Sequence, residues 1–129
     1  MSGAVATFEI HTSDQAASAA FYEAAFGWSF VEHAFGDAVF WEIRTGSDAG
    51  AKGRMIKRMG PPPGEGAPVM GAIITVDVAD LDAAMAAGLG AGGVEALPKF
   101  ALPGVGWVGY LKDPDGNVVG LFQKDEGAA

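Results

Sequence analysis

The sequence predicts an α+β fold made of two tandem β-α-β-β-β modules. Three observations lead there. The chain matches itself after a shift of 66 residues, the interval between Asp14 and Asp80. Short alternating apolar stretches surround one helix-like stretch in each half. A proline-rich break, MGPPPGEGAP, separates the halves. Under the single shift Ala17 meets Ala83, Gly27 meets Gly93, Val39 meets Val105, Trp41 meets Trp107 and Gly50 meets Gly116. Coincidences of alanine and glycine carry little weight in a chain with 20 glycines. The tryptophan and aspartate coincidences carry more.

The elements follow in order. VATFEIH is a strand, with Phe8 and Ile10 on one face and Thr7, Glu9 and His11 on the other. TSDQAASAAFYEAAFG is a helix, entered through the capping residues Thr12, Ser13 and Asp14 and closed by Gly27. WSFVEHA, AVFWEIRT and KGRMIKR are three further strands. The second copy runs MGAIITVDV, a helix from ADLDAAMAAGL, then GVEALP, VGWVGYL and NVVGLFQ. Residues 5–58 form the first module and 69–124 the second, within one domain spanning 1–129. Neither half buries its sheet alone, so the two pack together. Residues 59–68 are the linker, stiffened by Pro61, Pro62 and Pro63. DPDGN, from Asp113, is read as turn chemistry only.

Half of the 129 residues are hydrophobic, enough for one sizeable core. Sixteen acids against eight bases give a net charge of −8, which argues against nucleic acid as a partner. The cluster KGRMIKR is expected to point most of its bases at solvent. No apolar run reaches membrane-span length, so no membrane partner is expected. The first residues lack a basic stretch followed by a long apolar one, and the expected location is the cytoplasm. The absence of cysteine excludes disulfides, thiolate metal sites and a cysteine nucleophile.

The tandem modules, with FYEAAFGW ending the first helix and PGVGWVGYLKDPDGN before the last strand, resemble the vicinal oxygen chelate superfamily. That group comprises glyoxalases, bleomycin-resistance proteins and extradiol dioxygenases, and the chain looks like its glyoxalase-related bacterial branch. The resemblance implies a curved mixed sheet around a cavity, helices on the outside, and a homodimer. It also implies four metal-ligand positions, in the first and last strand of each module. They fall here on Thr7, Arg54, Ile73 and Gly120. A hydroxyl is a poor ligand, an arginine repels a cation, and isoleucine and glycine offer no side-chain donor. No metal and no cofactor is therefore expected.

Gly120 stands in a strand, where glycine marks either a bulge or a close approach. It either leaves cavity space where relatives place a carboxylate or serves sheet curvature. Glu9 shares a face with Thr7 and is the candidate catalytic base. Its alternative role is a structural ion pair with Arg54, itself a candidate grip for a ligand carboxylate or phosphate. Glu9, His11 and Asp77 are a conceivable displaced metal site. His33 reads as a surface residue. Thr7, Trp41, Arg54, Ile73, Thr75, Trp107, Tyr110, Gly120 and Phe122 are the candidate ligand-binding residues. Together they suggest a protein that binds a small hydrophobic or aromatic compound in an apolar, aromatic-lined cavity. The alternatives are a glyoxalase-like lyase or isomerase, or a dioxygenase-related enzyme, using Glu9 or a displaced metal.

Overall fold

The computed structural model describes residue 3 and residues 5–48 and 51–129, apart from the side chains of Phe35 and Ala38. The repeat match of Gly50 with Gly116 lies outside the described residues. The first module holds β1 (Thr7–Thr12), α1 (Gln15–Phe26), β2 (Ser29–Phe35), β3 (Ala38–Arg44) and β4 (Lys52–Lys57). The second holds β5 (Thr75–Asp77), α2 (Leu81–Gly90), β6 (Val94–Leu102), β7 (Gly106–Lys112) and β8 (Val118–Lys124).

The helices begin as the repeat predicts. Asp14 accepts from the Ala17 N–H at 3.1 Å, and its repeat mate Asp80 accepts from the Ala83 N–H at 3.0 Å. Each thereby satisfies one of the donors that a helix start leaves without a partner. The ends differ. Gly27 closes α1 with φ of 70°, whereas after α2 the positive φ, 96°, falls on Gly92. Gly93 serves packing instead: a Cβ there would press on the Phe21 ring.

Ser18, Ala19, Phe21, Tyr22 and Ala25 form the buried stripe of α1, and Leu81, Ala84, Met85 and Gly88 that of α2. The helices pack on each other. Gly88 permits it, since a Cβ there would lie 3.1 Å from Phe21 Cε1 and 3.5 Å from the Ala25 methyl. One core cluster joins both modules, from Ile10, Tyr22, Ile43 and Met55 to Leu111, Val119 and Leu121. Tyr22 stacks on Trp28 at 5.1 Å between centroids.

The sheet corrects one expectation. In place of a curved mixed sheet around a cavity there are two open four-stranded sheets, ordered β1-β4-β3-β2 and β5-β8-β7-β6. Each first strand pairs in parallel with the last strand of its own module. No strand pairing joins the sheets among the described residues. The His11 carbonyl of β1 shows why. It accepts from Arg58 Nη2 at 2.8 Å and from Asn117 Nδ2 at 2.9 Å, so side chains take the place of a neighbouring strand.

Those side chains belong to a clamp between the modules, built on the DPDGN turn. Asp113, 2% exposed, accepts at Oδ2 from the Tyr22 hydroxyl (2.8 Å) and Asn117 Nδ2 (2.9 Å). Its Oδ1 accepts from the backbone N–H groups of Asp115 and Asn117. Arg58 Nε donates to Asp115 Oδ2 at 2.8 Å. The turn therefore does more than reverse the chain, and Arg58 is the one base of its cluster turned into the fold while Lys52, Arg54 and Lys57 are exposed. Burial pushes the Tyr22 phenol well above its ordinary value of 10.0, and the charge of Asp113 and the bond to it act the same way.

A raised tyrosine value means that the fold favours the neutral phenol. Its contribution is complete below about pH 10 and is lost as pH rises toward the folded value. Thermal melts should thus show Tyr22→Phe losing about 1–3 kcal/mol at neutral pH. The gap between variant and wild type should narrow above about pH 10. A gap that stays constant through strong alkali would show that the phenol proton does not matter to stability.

Candidate functional site

Each sheet has one face against the helices and one opposite face. On β1, Ile10 and Thr12 are buried on the helix side, while Thr7, Glu9 and His11 are exposed on the other. Glu9 lies beside Arg54 of β4, which in turn faces Glu42 of β3. Arg54 Nη2 donates to Glu9 Oε2 at 2.9 Å, and His11 Nε2 pairs with Glu9 Oε1 at 3.1 Å. The anticipated ion pair therefore forms, but outside any deep burial: the Arg54 and Glu9 side chains are 45% and 40% exposed. In that setting the pair contributes about 0–1 kcal/mol.

A second group continues the charged face. Arg44 Nε and His33 Nε2 meet Glu42 at 2.8 and 3.0 Å. The hydrogen bond from Arg44, then that from His33, holds the Glu42 carboxyl below its ordinary range. His33 also stacks on Phe40.

The same face of the second sheet is more apolar, with Asp77, Lys112 and Lys124 as its charged members on β5, β7 and β8. Thr75, Gly120 and Tyr110 stand in one row across β5, β8 and β7. Asp77, Phe122 and Val108 form the next row, and Phe100 of β6 stacks on Tyr110 at 6.5 Å. The pairing of β7 with β8 runs unbroken through Gly120, and its φ is not among the positive ones. A bulge is therefore not the reason for this glycine. A Cβ there would lie 2.7 Å from Thr75 Oγ1 and 3.1 Å from Tyr110 Cε1. The space beside Gly120 is taken up by the protein's own threonine and tyrosine.

Trp41 and Trp107 do occupy equivalent places, both on the helix side. Trp41 lies opposite the fully buried Met55. Trp107 packs against the core, donates from Nε1 to Asp125 at 2.9 Å and carries Lys99 over its ring. The two tryptophans thus lie across their sheets from Arg54 and Gly120.

A cavity of ≈480 Å³ lies where the linker crosses the joint between the modules. Glu9, Ile10 and His11 form one wall, with the aromatic Tyr22 behind them. Ile73, Ile74 and Val118 form another wall, and linker residues such as Pro61, Pro63 and Pro68 form the roof. Arg58 and Asn117 hold one corner. Of the expected site residues the cavity gathers Glu9 and Ile73. Tyr22, Arg58, Asn117 and the linker roof had no site signal, because their partners lie far away in sequence.

Among the described residues no group of three or more His, Cys, Asp or Glu could hold a metal ion. Glu9, His11 and Asp77 form no such group, and Glu9 is engaged by Arg54. Among the same residues no helix is long and apolar enough to cross a membrane.

The paired modules place the chain in a known family. The model of the Glyoxalase/Bleomycin resistance protein/Dioxygenase superfamily matches residues 4–121, and the chain belongs to that superfamily. It is 32% identical over 121 residues to "Putative glyoxylase CFP32" of Mycobacterium bovis and of Mycobacterium tuberculosis, covering 89% of this chain. It spans only 43% of the length of those curated relatives. The fold is also that of a glyoxylase/bleomycin resistance protein/dioxygenase domain from Frankia sp. EAN1pec. There the TM-score is 0.75 at 18% identity, covering 98% of this chain and 96% of that one. TnmS3, an antibiotic binding protein from Streptomyces sp. CB03234, gives a TM-score of 0.67 at 21% identity, covering 97% and 99%.

The crowding at Gly120 has a measurable consequence. Gly120→Val should cost about 1–3 kcal/mol through overpacking against Thr75 and Tyr110. Thr75→Gly in the same chain should recover part of that loss, giving a favourable coupling in a double-mutant cycle. Strictly additive losses would show that Thr75 does not occupy the space.

Proposed function

We propose that this chain is a small-molecule-binding protein of the superfamily, taking an apolar compound into the cavity beneath the linker without help from a bound metal. The observation that carries this is the ≈480 Å³ cavity itself, lined by apolar side chains such as Ile10, Ile73, Ile74 and Val118 together with the polar Glu9, His11, Arg58 and Asn117, and wide enough for a small organic compound. The positions that the resemblance assigns to metal ligands support it. Thr7 is a lone hydroxyl, Arg54 is a cation paired to Glu9, Ile73 faces the cavity, and Gly120 is covered by Thr75 and Tyr110. The antibiotic binding named for TnmS3 is an activity of the same general kind. The net charge of −8 supports the absence of a nucleic-acid partner.

A second role, catalysis with Glu9 as base, is favoured by its place on the cavity wall and by the glyoxylase name of the mycobacterial relatives. Against it, both carboxylate oxygens are engaged, by His11 and by Arg54. A homodimer belongs to the same proposal. Val94, Leu97, Phe100 and Leu102 are 60%, 52%, 41% and 40% exposed, and their pairing with alternate β7 residues puts them on the apolar face.

Thermal-shift screening of apolar compounds tests the binding role. Hits should raise the melting temperature equally with and without chelator. Ala72→Trp, which places an indole at the cavity lining, should abolish their effect. A response that requires about one equivalent of divalent metal per chain would instead favour a metal-dependent role.

A further inference from the structure

The cavity has a polar corner whose bonding capacity is unevenly used. Arg58, 18% exposed, donates from Nε to Asp115 and from Nη2 to the His11 carbonyl and Asn117 Oδ1. Its Nη1 has no acceptor among the described residues. Asn117 commits Nδ2 to the His11 carbonyl and to Asp113 Oδ2. Glu9 is the one carboxylate on the cavity wall, and His11 and Arg54 each engage one of its oxygens. Asp115, the remaining nearby anion, is held at Arg58 Nε. The polar side of the cavity thus carries one permanent cation, Arg58, whose Nη1 makes no bond among the described residues, beside the paired Glu9 and His11 and the apolar Ile73, Ile74 and Val118.

We infer, building on the binding role proposed above, that the cavity selects an apolar compound bearing an anionic group, a carboxylate or a sulfonate, seated on Arg58 Nη1. A guanidinium carries its charge at any ordinary pH and offers planar, directed N–H groups to an oxyanion. Bonds to Asp115, Asn117 and His11 hold the guanidinium in place, so little side-chain freedom is lost on binding. The overall charge of −8 repels anions, so a preference for one must arise locally at the site.

Two fluorescent probes with the same ring body test this, anionic anilinonaphthalene sulfonate and neutral N-phenylnaphthylamine, titrated into the full chain. The sulfonate should bind about tenfold more tightly or better, and Arg58→Lys should shrink that advantage. Ala72→Trp should weaken both probes, placing them in the cavity rather than on the apolar face of the second sheet. Arg58→Lys also touches the clamp, so the comparison of the two probes on wild-type protein decides the matter without it. If both probes are lost in Ala72→Trp but the neutral one binds as tightly as the anion, the anionic assignment is overturned and the binding role stands. If neither probe responds to Ala72→Trp, the cavity is not a binding site and both fall.

Discussion

A carboxylate buried to 2% exposure has to be answered by donors from every side, and Asp113 is answered by four. Two are backbone groups of its own turn, one is the Asn117 amide, and one is the Tyr22 hydroxyl from α1. An unpaired carboxylate in that place would be costly, so the turn and the helix are obliged to meet. Because Tyr22 belongs to the first module and Asp113 to the second, this requirement also sets how the modules meet. Arg58, just after β4, extends the arrangement to Asp115 and Asn117, and the edge of β1 is closed by side chains. The two sheets, with no ladder between them among the described residues, are joined by this clamp and by the shared core cluster.

The cavity is a by-product of the same arrangement. Gly116, with φ of 87°, lets the DPDGN turn close, and the place of its absent Cβ lies 3.5 Å from the Pro63 carbonyl. The linker thus crosses over the turn, and its stiff prolines span the joint as a roof. A flexible linker would lose more freedom on taking the same path. The two sheet faces away from the helices then differ in kind. The first carries paired charges around Glu9 and Glu42, and the second carries Phe100, Tyr110 and Phe122. The repeat preserves the frame while the side chains diverge, and Arg54 and Gly120 are the clearest case. They are repeat mates on the same face, one a charged partner for Glu9 and the other a gap filled by Thr75.

Local signals were legible in the sequence. Asp14 and Asp80 cap their helices as their shared position predicts, and Trp41 and Trp107 share one setting. The strands and helices follow alternation, capping and glycine placement, which act over a few residues. Membership of the superfamily follows from the same repeat. The joint between the modules was not legible. Tyr22 and Asp113 lie 91 residues apart, and nothing in FYEAAFGW or DPDGN alone names the other. The curved single sheet failed as an expectation because pairing between modules is a long-range matter that no local pattern reports. The exposure of the Glu9–Arg54 pair was not legible for a related reason. Alternation told which face they share, but not whether anything covers it.

The central claim is that Asp113 couples the two modules and the cavity between them. Asparagine in its place would turn an amide donor toward donors that the carboxylate now accepts, with little change in size. Hydrogen exchange on Asp113→Asn, followed by mass spectrometry, tests this directly. The coupling predicts faster exchange together in α1, in the turn after β7 and in the linker segment over the cavity. Faster exchange confined to residues 113–117, with α1 and the linker unchanged, would contradict it.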